Sequence, residues 1–206
     1  MSHWHEWHID YDDPGSTLAR RLHVVQNLLG RALDTAPPGP VRLLSLCAGQ
    51  ARDVLGVVPR HPRRNDVRGR LVELDPGVAR KGLRHAGLDG IDVLVADAGT
   101  TDSAGGAVPA DVVLLCGIFG NINDADIERT IRAVPMFCAS AASVLWTRHR
   151  RPPDLVPRIV DWFAASGFAP VDVVKPAGSL WTVGSHRLVA PPQEFEPGRR
   201  LFSFVR

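Results

Sequence analysis

The residues best suited to chemistry sit in four short stretches, each closing an apolar run. The first is Ser45-Leu46-Cys47-Ala48-Gly49-Gln50-Ala51, where Cys47, Ala48, Gly49 and Ala51 are all small enough for a ligand to lie against the backbone. Only Gly49 is a glycine, so the cradle that a pyrophosphate needs at a helix start is incomplete. Taken alone, the stretch could equally be an ordinary turn. The second, Leu71-Val72-Glu73-Leu74-Asp75-Pro76, puts Asp75 after Gly49 at close to the roughly 20 residues expected of a ribose-binding acid. A carboxylate there can accept from both ribose hydroxyls, although just ahead of Pro76 it could also cap a helix. The third, Val95-Ala96-Asp97-Ala98-Gly99-Thr100, offers an acid for an adenine amino group and a neighbouring amide for the ring. A solvated turn aspartate is the plainer alternative.

The fourth stretch, Cys116-Gly117-Ile118-Phe119-Gly120-Asn121-Ile122-Asn123-Asp124, again has glycines where a ligand could approach. Asn123 or Asp124 suits a helix cap, which leaves Asn121 as the polar candidate for a substrate. Cys47 and Cys116 read as small apolar fillers, since a catalytic cysteine needs an activating partner and none is visible. The three cysteines lack zinc-type spacing and are expected to be free thiols. The opening His3-Trp4-His5-Glu6-Trp7-His8 has no ligand spacing that would hold a metal, and none is expected. Trp4, Trp7 and Tyr11 suit an arm that covers a cleft; packing on the sheet or fraying are the alternatives.

These stretches must be positioned by the elements ahead of them. Val41 to Leu46, Gly69 to Leu74, Ile91 to Ala96, Ala110 to Cys116 and Ala142 to Thr147 are nearly continuous in Val, Leu and Ile, as strands buried on both faces are. Helical stretches are expected between them at Arg52 to Val58, Pro76 to Ala86, Ala125 to Phe137 and Leu155 to Ser166. Before them, Leu18, Leu22, Val25, Leu29 and Leu33 recur at helical spacing after a cap at Ser16, and Pro37-Pro38-Gly39-Pro40 ends that helix. Strands alternating with helices predict an α/β fold: a Rossmann-like, doubly wound, mostly parallel sheet. The tail, with Ala169 to Val174, Leu180 to Val189 and Arg200 to Val205, leaves no room for helices and predicts antiparallel closing strands. Residues 1-36 are expected to form an arm and a helical lid, and residues 37-206 the main domain. Ligands of such sheets sit beyond the carboxyl ends of the strands, where all four stretches lie.

The chain of 206 residues is 45% hydrophobic and 22% charged, which suits one compact domain. Its formal charge of +2 is too small to imply nucleic acid or a membrane surface, and the basic run from Pro59 to Arg68 has no aromatic interleaving. No apolar run reaches the roughly 20 residues of a membrane span, and the start lacks the features of a signal peptide, so a cytoplasmic location is expected. The expected partner is a small-molecule substrate; a homodimer is left open.

Taken together, the four strand ends resemble the class I S-adenosylmethionine-dependent methyltransferases. They are most similar to a small actinobacterial-type group of unassigned substrate, which carries LSLCAG-x-x-RDVL, GRLVELDP, VADAG, LLCGIFGNI, WTRHRRPPDL and VG-x-HRL. By motif the resemblance covers roughly residues 41 to 150. It implies S-adenosylmethionine as cofactor: Cys47, Ala48 and Gly49 under its methionine part, Asp75 at the ribose, Asp97 and Ala98 at the adenine, Cys116, Gly117, Ile118 and Phe119 along its substrate side, and Glu73 and Pro76 also against the cofactor. Ser45 stands where the wider superfamily has an acid, and Cys47 and Ala51 replace glycines. A sulfonium cofactor has no pyrophosphate to cradle, which accounts for the scarcity of glycine.

Methyl transfer to an oxygen or nitrogen of high pKa requires a general base. His149, after the fifth strand, is the first candidate and His186 the second, with Asn121 as a further catalytic candidate. Either histidine could instead be structural. Trp7, Tyr11, Asn121 and Arg148 are the candidates for touching the substrate. Two other functions fit a sheet of this kind: an NAD(P)-dependent oxidoreductase, disfavoured by the missing glycines, and an inactive domain kept as a binding module.

Overall fold

In the computed structural model, residues 11–205 are described. They form a seven-stranded sheet in the order β3-β2-β1-β4-β5-β7-β6. The strands are β1 (Val41–Leu46), β2 (Val67–Val72), β3 (Ile91–Leu94), β4 (Ala110–Leu115), β5 (Cys138–His149), β6 (Phe168–Val174) and β7 (Trp181–Leu188). β1 to β5 pair in parallel, and β7 inserts antiparallel between β5 and β6. The doubly wound architecture with antiparallel C-terminal strands is therefore as the sequence predicts. The chain reverses direction beside β1, between β2 on one side and β4 on the other. Such a switch opens a crevice at the carboxyl ends of these strands.

Two helical layers cover the sheet, because its central strands are apolar on both faces. Helices α1 (Thr17–Thr35), α2 (Arg52–Val57) and α3 (Gly77–Ala86) bury Leu29, Leu33, Val54 and Leu83 against one face. Helices α4 (Asp124–Ala133) and α5 (Val156–Ala165) bury Ile127, Ile131, Ile159 and Phe163 against the other. Ser16 caps α1, its hydroxyl accepting from the Ala19 amide at 3.0 Å. The helix ends beside the start of β5, where Arg187, opposite Ser143, reaches Thr35 Oγ1 at 2.9 Å. Its first turns accordingly lie toward the carboxyl rim. α1 is thus a layer of the core rather than a lid, and only its amino-terminal end approaches the crevice.

Three expectations are corrected. The helix predicted to run to Phe137 stops at Ala133 and passes into a short 3-10 turn, Val134–Met136, since Pro135 cannot continue the donor ladder. β5 starts at Cys138, not at Ala142, and meets β4 through a register shift between Ala110 and Val112. The strand predicted over Arg200 to Val205 is an irregular strap with two isolated bridges, Thr100 to Arg200 and Ile122 to Phe204. Its amides bond to loops and to the first turn of α4 rather than to a strand edge: Leu201 to Gly99 O at 2.8 Å, Ser203 to Asp126 Oδ2 at 2.8 Å, and Val205 to Asn121 O at 2.9 Å. The strap therefore ties the loop after β3 to the loop after β4.

Candidate functional site

The loop after β1 keeps a glycine-type backbone with a single glycine. Cys47, Gly49 and Ala51 all have left-handed φ, at 57°, 55° and 56°. For a residue with a Cβ this conformation costs roughly 1–2 kcal/mol, so neighbouring bonds must hold it. The Ala48 amide donates to Val72 O at 3.0 Å, and the Gly49 amide to Glu73 Oε2 at 2.7 Å. The other Glu73 oxygen accepts from the amides of Leu74 at 2.9 Å and Asp75 at 3.2 Å. Glu73 thus fastens the β1 loop to the β2 loop. A Cβ built on Gly49 meets nothing within 4 Å, so the space above the loop is open.

Asp75 and Asp97 follow neighbouring parallel strands, and the Glu73 amide bonds Leu94 O at 3.1 Å, which brings both acids to one rim. The residue at the N-cap of α3 is Pro76, with no side-chain bond, so Asp75 is not the cap. Its exposed carboxylate makes no hydrogen bond or ion pair among the described residues. Asp97 Oδ1 accepts from the Gly99 amide at 2.8 Å, and Oδ2 from Arg200 Nη1 of the strap at 2.6 Å. Partial burial works to raise the Asp97 carboxyl, but the Arg200 and Gly99 bonds and the guanidinium charge hold it below its ordinary value. Ala98 is buried, and its amide donates no bond among the described residues. A planar ring at this rim would find an acid and a free donor side by side.

At the end of β4, Gly117 turns with φ 80° and donates to Thr147 Oγ1 at 2.9 Å. The Asn121 side chain folds back, its Nδ2 donating to Gly117 O at 2.7 Å, which closes this loop. Ile118 and Phe119 are fully buried in the core, Phe119 beside Trp146 and Phe163. Their side chains therefore do not line the rim. Cys47 and Cys116 flank the crevice as protonated thiols: burial first, and then the Glu73 charge, push Cys47 up to about 12. Burial and the Asp53 carboxylate push Cys116 up as well. They behave as the small fillers expected.

His149 closes β5 opposite Trp181, and its Cδ2 lies 3.6 Å from a Cβ built on Gly120, so it faces the β4 loop. Burial, and then the charges of Arg148 and Arg151, lower its pKa, leaving a neutral imidazole at neutral pH. His186 is different. It is 0% exposed, its Nδ1 accepts from Trp146 Nε1 at 3.1 Å, and its ring stacks on Phe163 at 4.5 Å. Burial drives its pKa down to about 4. The general-base role is withdrawn for His186, because β7 lies between β5 and β6 and sets this side chain in the core. Arg148 is likewise buried, with Nη1 donating to Phe119 O, so it holds the loop instead of meeting substrate.

On the other flank, Arg52 gathers the end of the amino-terminal arm onto the β1 loop. Its guanidinium lies 5.2 Å from the Tyr11 ring centroid, reaches Asp12 at 2.8 Å and donates to Gln50 Oε1 at 2.7 Å. Tyr11 therefore stands beside the crevice, whereas Trp7 lies outside the described residues. Sequence reasoning missed Arg52, Asp53 and Arg200. The Arg52-Asp53 pair opening α2 was visible as two charges just ahead of the apolar Val54-Leu55; nothing in the sequence marks Arg200. Among the described residues no group of three or more His, Cys, Asp or Glu side chains is placed to hold a metal, and no helix is long and apolar enough to cross a membrane.

No protein-family model matches the chain, and no curated protein matches it. Solved structures do. An O-methyltransferase family protein from Burkholderia thailandensis superposes with a TM-score of 0.67 at 16% identity, over 85% of this chain and 57% of its own. The 1,6-didemethyltoxoflavin N1-methyltransferase of the same organism, bound to 1,6-didemethyltoxoflavin and S-adenosylhomocysteine, gives 0.68 at 14% identity over 91% and 84%. An RNA methyltransferase from Salinibacter ruber in complex with S-adenosyl-L-homocysteine gives 0.51 at 19% identity over 82% and 96%. The chain thus spans little more than half the length of the first of these. At such identities the likeness establishes the fold, which is the one these methyltransferases share.

Proposed function

We propose that the chain is an S-adenosylmethionine-dependent methyltransferase acting on an oxygen or nitrogen of a small molecule. The observation that carries this reading is the rim itself. A small-residue loop held in a glycine-type backbone lies beside the unpaired Asp75, and the free amide of Ala98 lies beside Asp97. These residues fit the cofactor part by part. Asp75 would accept from the ribose hydroxyls and Asp97 from the adenine amine, and the Ala98 amide would donate to a ring nitrogen. The loop from Cys47 to Ala51 forms a floor with no pyrophosphate site.

When bound, the cofactor would supply an electrophilic methyl group, with a neutral thioether as its leaving group. The residues of this chain do the rest. The rim holds the acceptor atom in line and at near-attack distance, and excludes water. His149, neutral at working pH, takes the proton that the acceptor atom loses as its new bond to carbon forms. Cys47 and Cys116 remain protonated and so do not compete as nucleophiles. Tyr11, fixed over Arg52, would supply an aromatic wall for the acceptor.

Calorimetry with S-adenosylhomocysteine tests the reading. Binding that Asp75→Ala weakens by roughly tenfold or more supports it, as loss of a charge-assisted pair of bonds should. No heat with folded protein sinks it, and tight NADH binding in a fluorescence titration would favour the oxidoreductase instead.

A further inference from the structure

One acid of the rim is already paired by the chain's own tail. Between β3 and β4 the connection carries no α-helix, only the 3-10 turn Thr101–Ala104, and the strap packs in that place: Leu201 and Phe202 are buried in one core cluster with Ala98 and Ala104. Backbone bonds fix it along the β3 loop. The Thr101 amide donates to Arg199 O at 3.0 Å, the Arg199 amide to Thr101 Oγ1 at 3.0 Å, and the Leu201 amide to Gly99 O at 2.8 Å. These bonds set Arg200 Nη1 2.6 Å from Asp97 Oδ2, while Oδ1 is kept by the Gly99 amide at 2.8 Å. A Cβ built on Gly99 would lie 2.8 Å from that Nη1, 2.9 Å from Asp97 Oδ1 and 2.5 Å from Phe202 O, so the loop is closed on that side. The guanidinium therefore sits against the residue next to Ala98, whose amide donates no bond among the described residues. A planar group that engaged Asp97 Oδ2 and the Ala98 amide together would contend with Arg200 for the same oxygen.

The pair is suited to exchange. Its side chains are 51% and 57% exposed, and an ion pair in such a setting is weak. The strap is held by its backbone amides and by Leu201 and Phe202, so the Arg200 side chain can swing out while the strap stays.

We propose that Arg200 is a competitor built into the base subsite: an amino-bearing nucleobase binds Asp97 by exchanging places with the Arg200 guanidinium, which makes this residue a determinant of the base accepted. This rests on the methyltransferase reading, in which the base is the adenine of the cofactor. A base with a carbonyl in place of the amine meets the opposite balance, because the carbonyl accepts from Arg200 and is repelled by Asp97. Arg200 thus lowers affinity for the amino base and raises it for the oxo base.

Calorimetry on the full chain compares S-adenosylhomocysteine with S-inosylhomocysteine, which carries a carbonyl where the amine stands. Arg200→Gln should tighten S-adenosylhomocysteine by roughly two- to fivefold, the range of an exposed ion pair, and should not tighten S-inosylhomocysteine. Raising the salt from about 0.01 M to about 1 M should narrow the gap between wild type and variant for S-adenosylhomocysteine, since screening weakens a pair that only the wild type has. A variant whose S-adenosylhomocysteine affinity is unchanged or lower would overturn the proposal alone. So would tightening of both ligands in parallel, or a gap that salt does not narrow. If neither wild type nor variant binds S-adenosylhomocysteine, the methyltransferase reading falls and takes this proposal with it.

Discussion

Gly49 separates the needs of a ligand from those of the fold. Its φ of 55° penalises any side chain, yet an added Cβ meets no atom of the protein. Gly49→Ala should therefore cost only about 1 kcal/mol of stability while putting a methyl group where the cofactor would lie. A thermal scan beside S-adenosylhomocysteine calorimetry checks it: undiminished affinity would mean the ligand lies elsewhere. Cys47→Gly is the converse, and relief of a left-handed Cβ should leave unfolding free energy unchanged or raise it by up to about 1 kcal/mol. His149 belongs to the same scale. Because burial and the two arginines disfavour its charged form, the acid limb of kcat should fall at a pH below the ordinary 6.5, with the rate rising as pH rises through it. His149→Ala should lower kcat by about 10²–10⁴-fold, and a variant that keeps the full rate would remove the base from the mechanism. Asp75, Asp97, Ala98 and Gly49 were legible at this scale because strand ends in a parallel sheet must reach the rim. The engaged states of Glu73, Asn121 and Arg148 were not, since those bonds cross between loops distant in sequence.

Two elements carry buried titrating groups that work against each other. On β7, His186 has its pKa lowered to about 4 from 6.5, so the folded state binds fewer protons between these values. Its contribution, about 3 kcal/mol, is complete above 6.5 and is lost as pH falls toward 4. On α2, burial raises Asp53 to about 6 from 3.8, so there the folded state binds more protons. That contribution, also about 3 kcal/mol, is complete below 3.8 and is lost as pH rises to 6. The two slopes largely cancel in the wild type. Asp53→Asn removes the second, so its stability should climb with pH and exceed that of the wild type by about 2–3 kcal/mol near neutrality. Urea unfolding at about pH 4.5 and about pH 7 would show it; a variant no more stable than wild type at the higher pH would mean the carboxylate is not isolated. Helical periodicity made α1 and its Ser16 cap plain beforehand. The core position of His186 depended on β7 inserting beside β5, a pairing that no local pattern states.

Across the whole molecule, the strap from Arg200 to Val205 joins the two loops that frame the crevice. Leu201 is 0% exposed, Phe202 is 1% exposed, and Arg200 holds Asp97. Phe202→Ala should cost about 3–5 kcal/mol in urea unfolding and loosen the Asp97 side of the rim with it, so that, on the proposed function, S-adenosylhomocysteine affinity falls too. A variant destabilised to that extent with full affinity would show that the strap serves the fold alone. The sequence by itself determined the alternation of buried strands and helices, and with it the doubly wound sheet and the rim where Gly49, Asp75 and Asp97 meet. Those follow from apolar runs and helical spacing, which act over neighbouring residues. Only the tertiary structure decided that α1 is a core layer, that the last segment is a strap and not a strand, and that His186 is buried while His149 is at the rim. Each depends on which distant segments share a surface, and the free energy of that choice comes from packing over the whole chain, not from any local pattern.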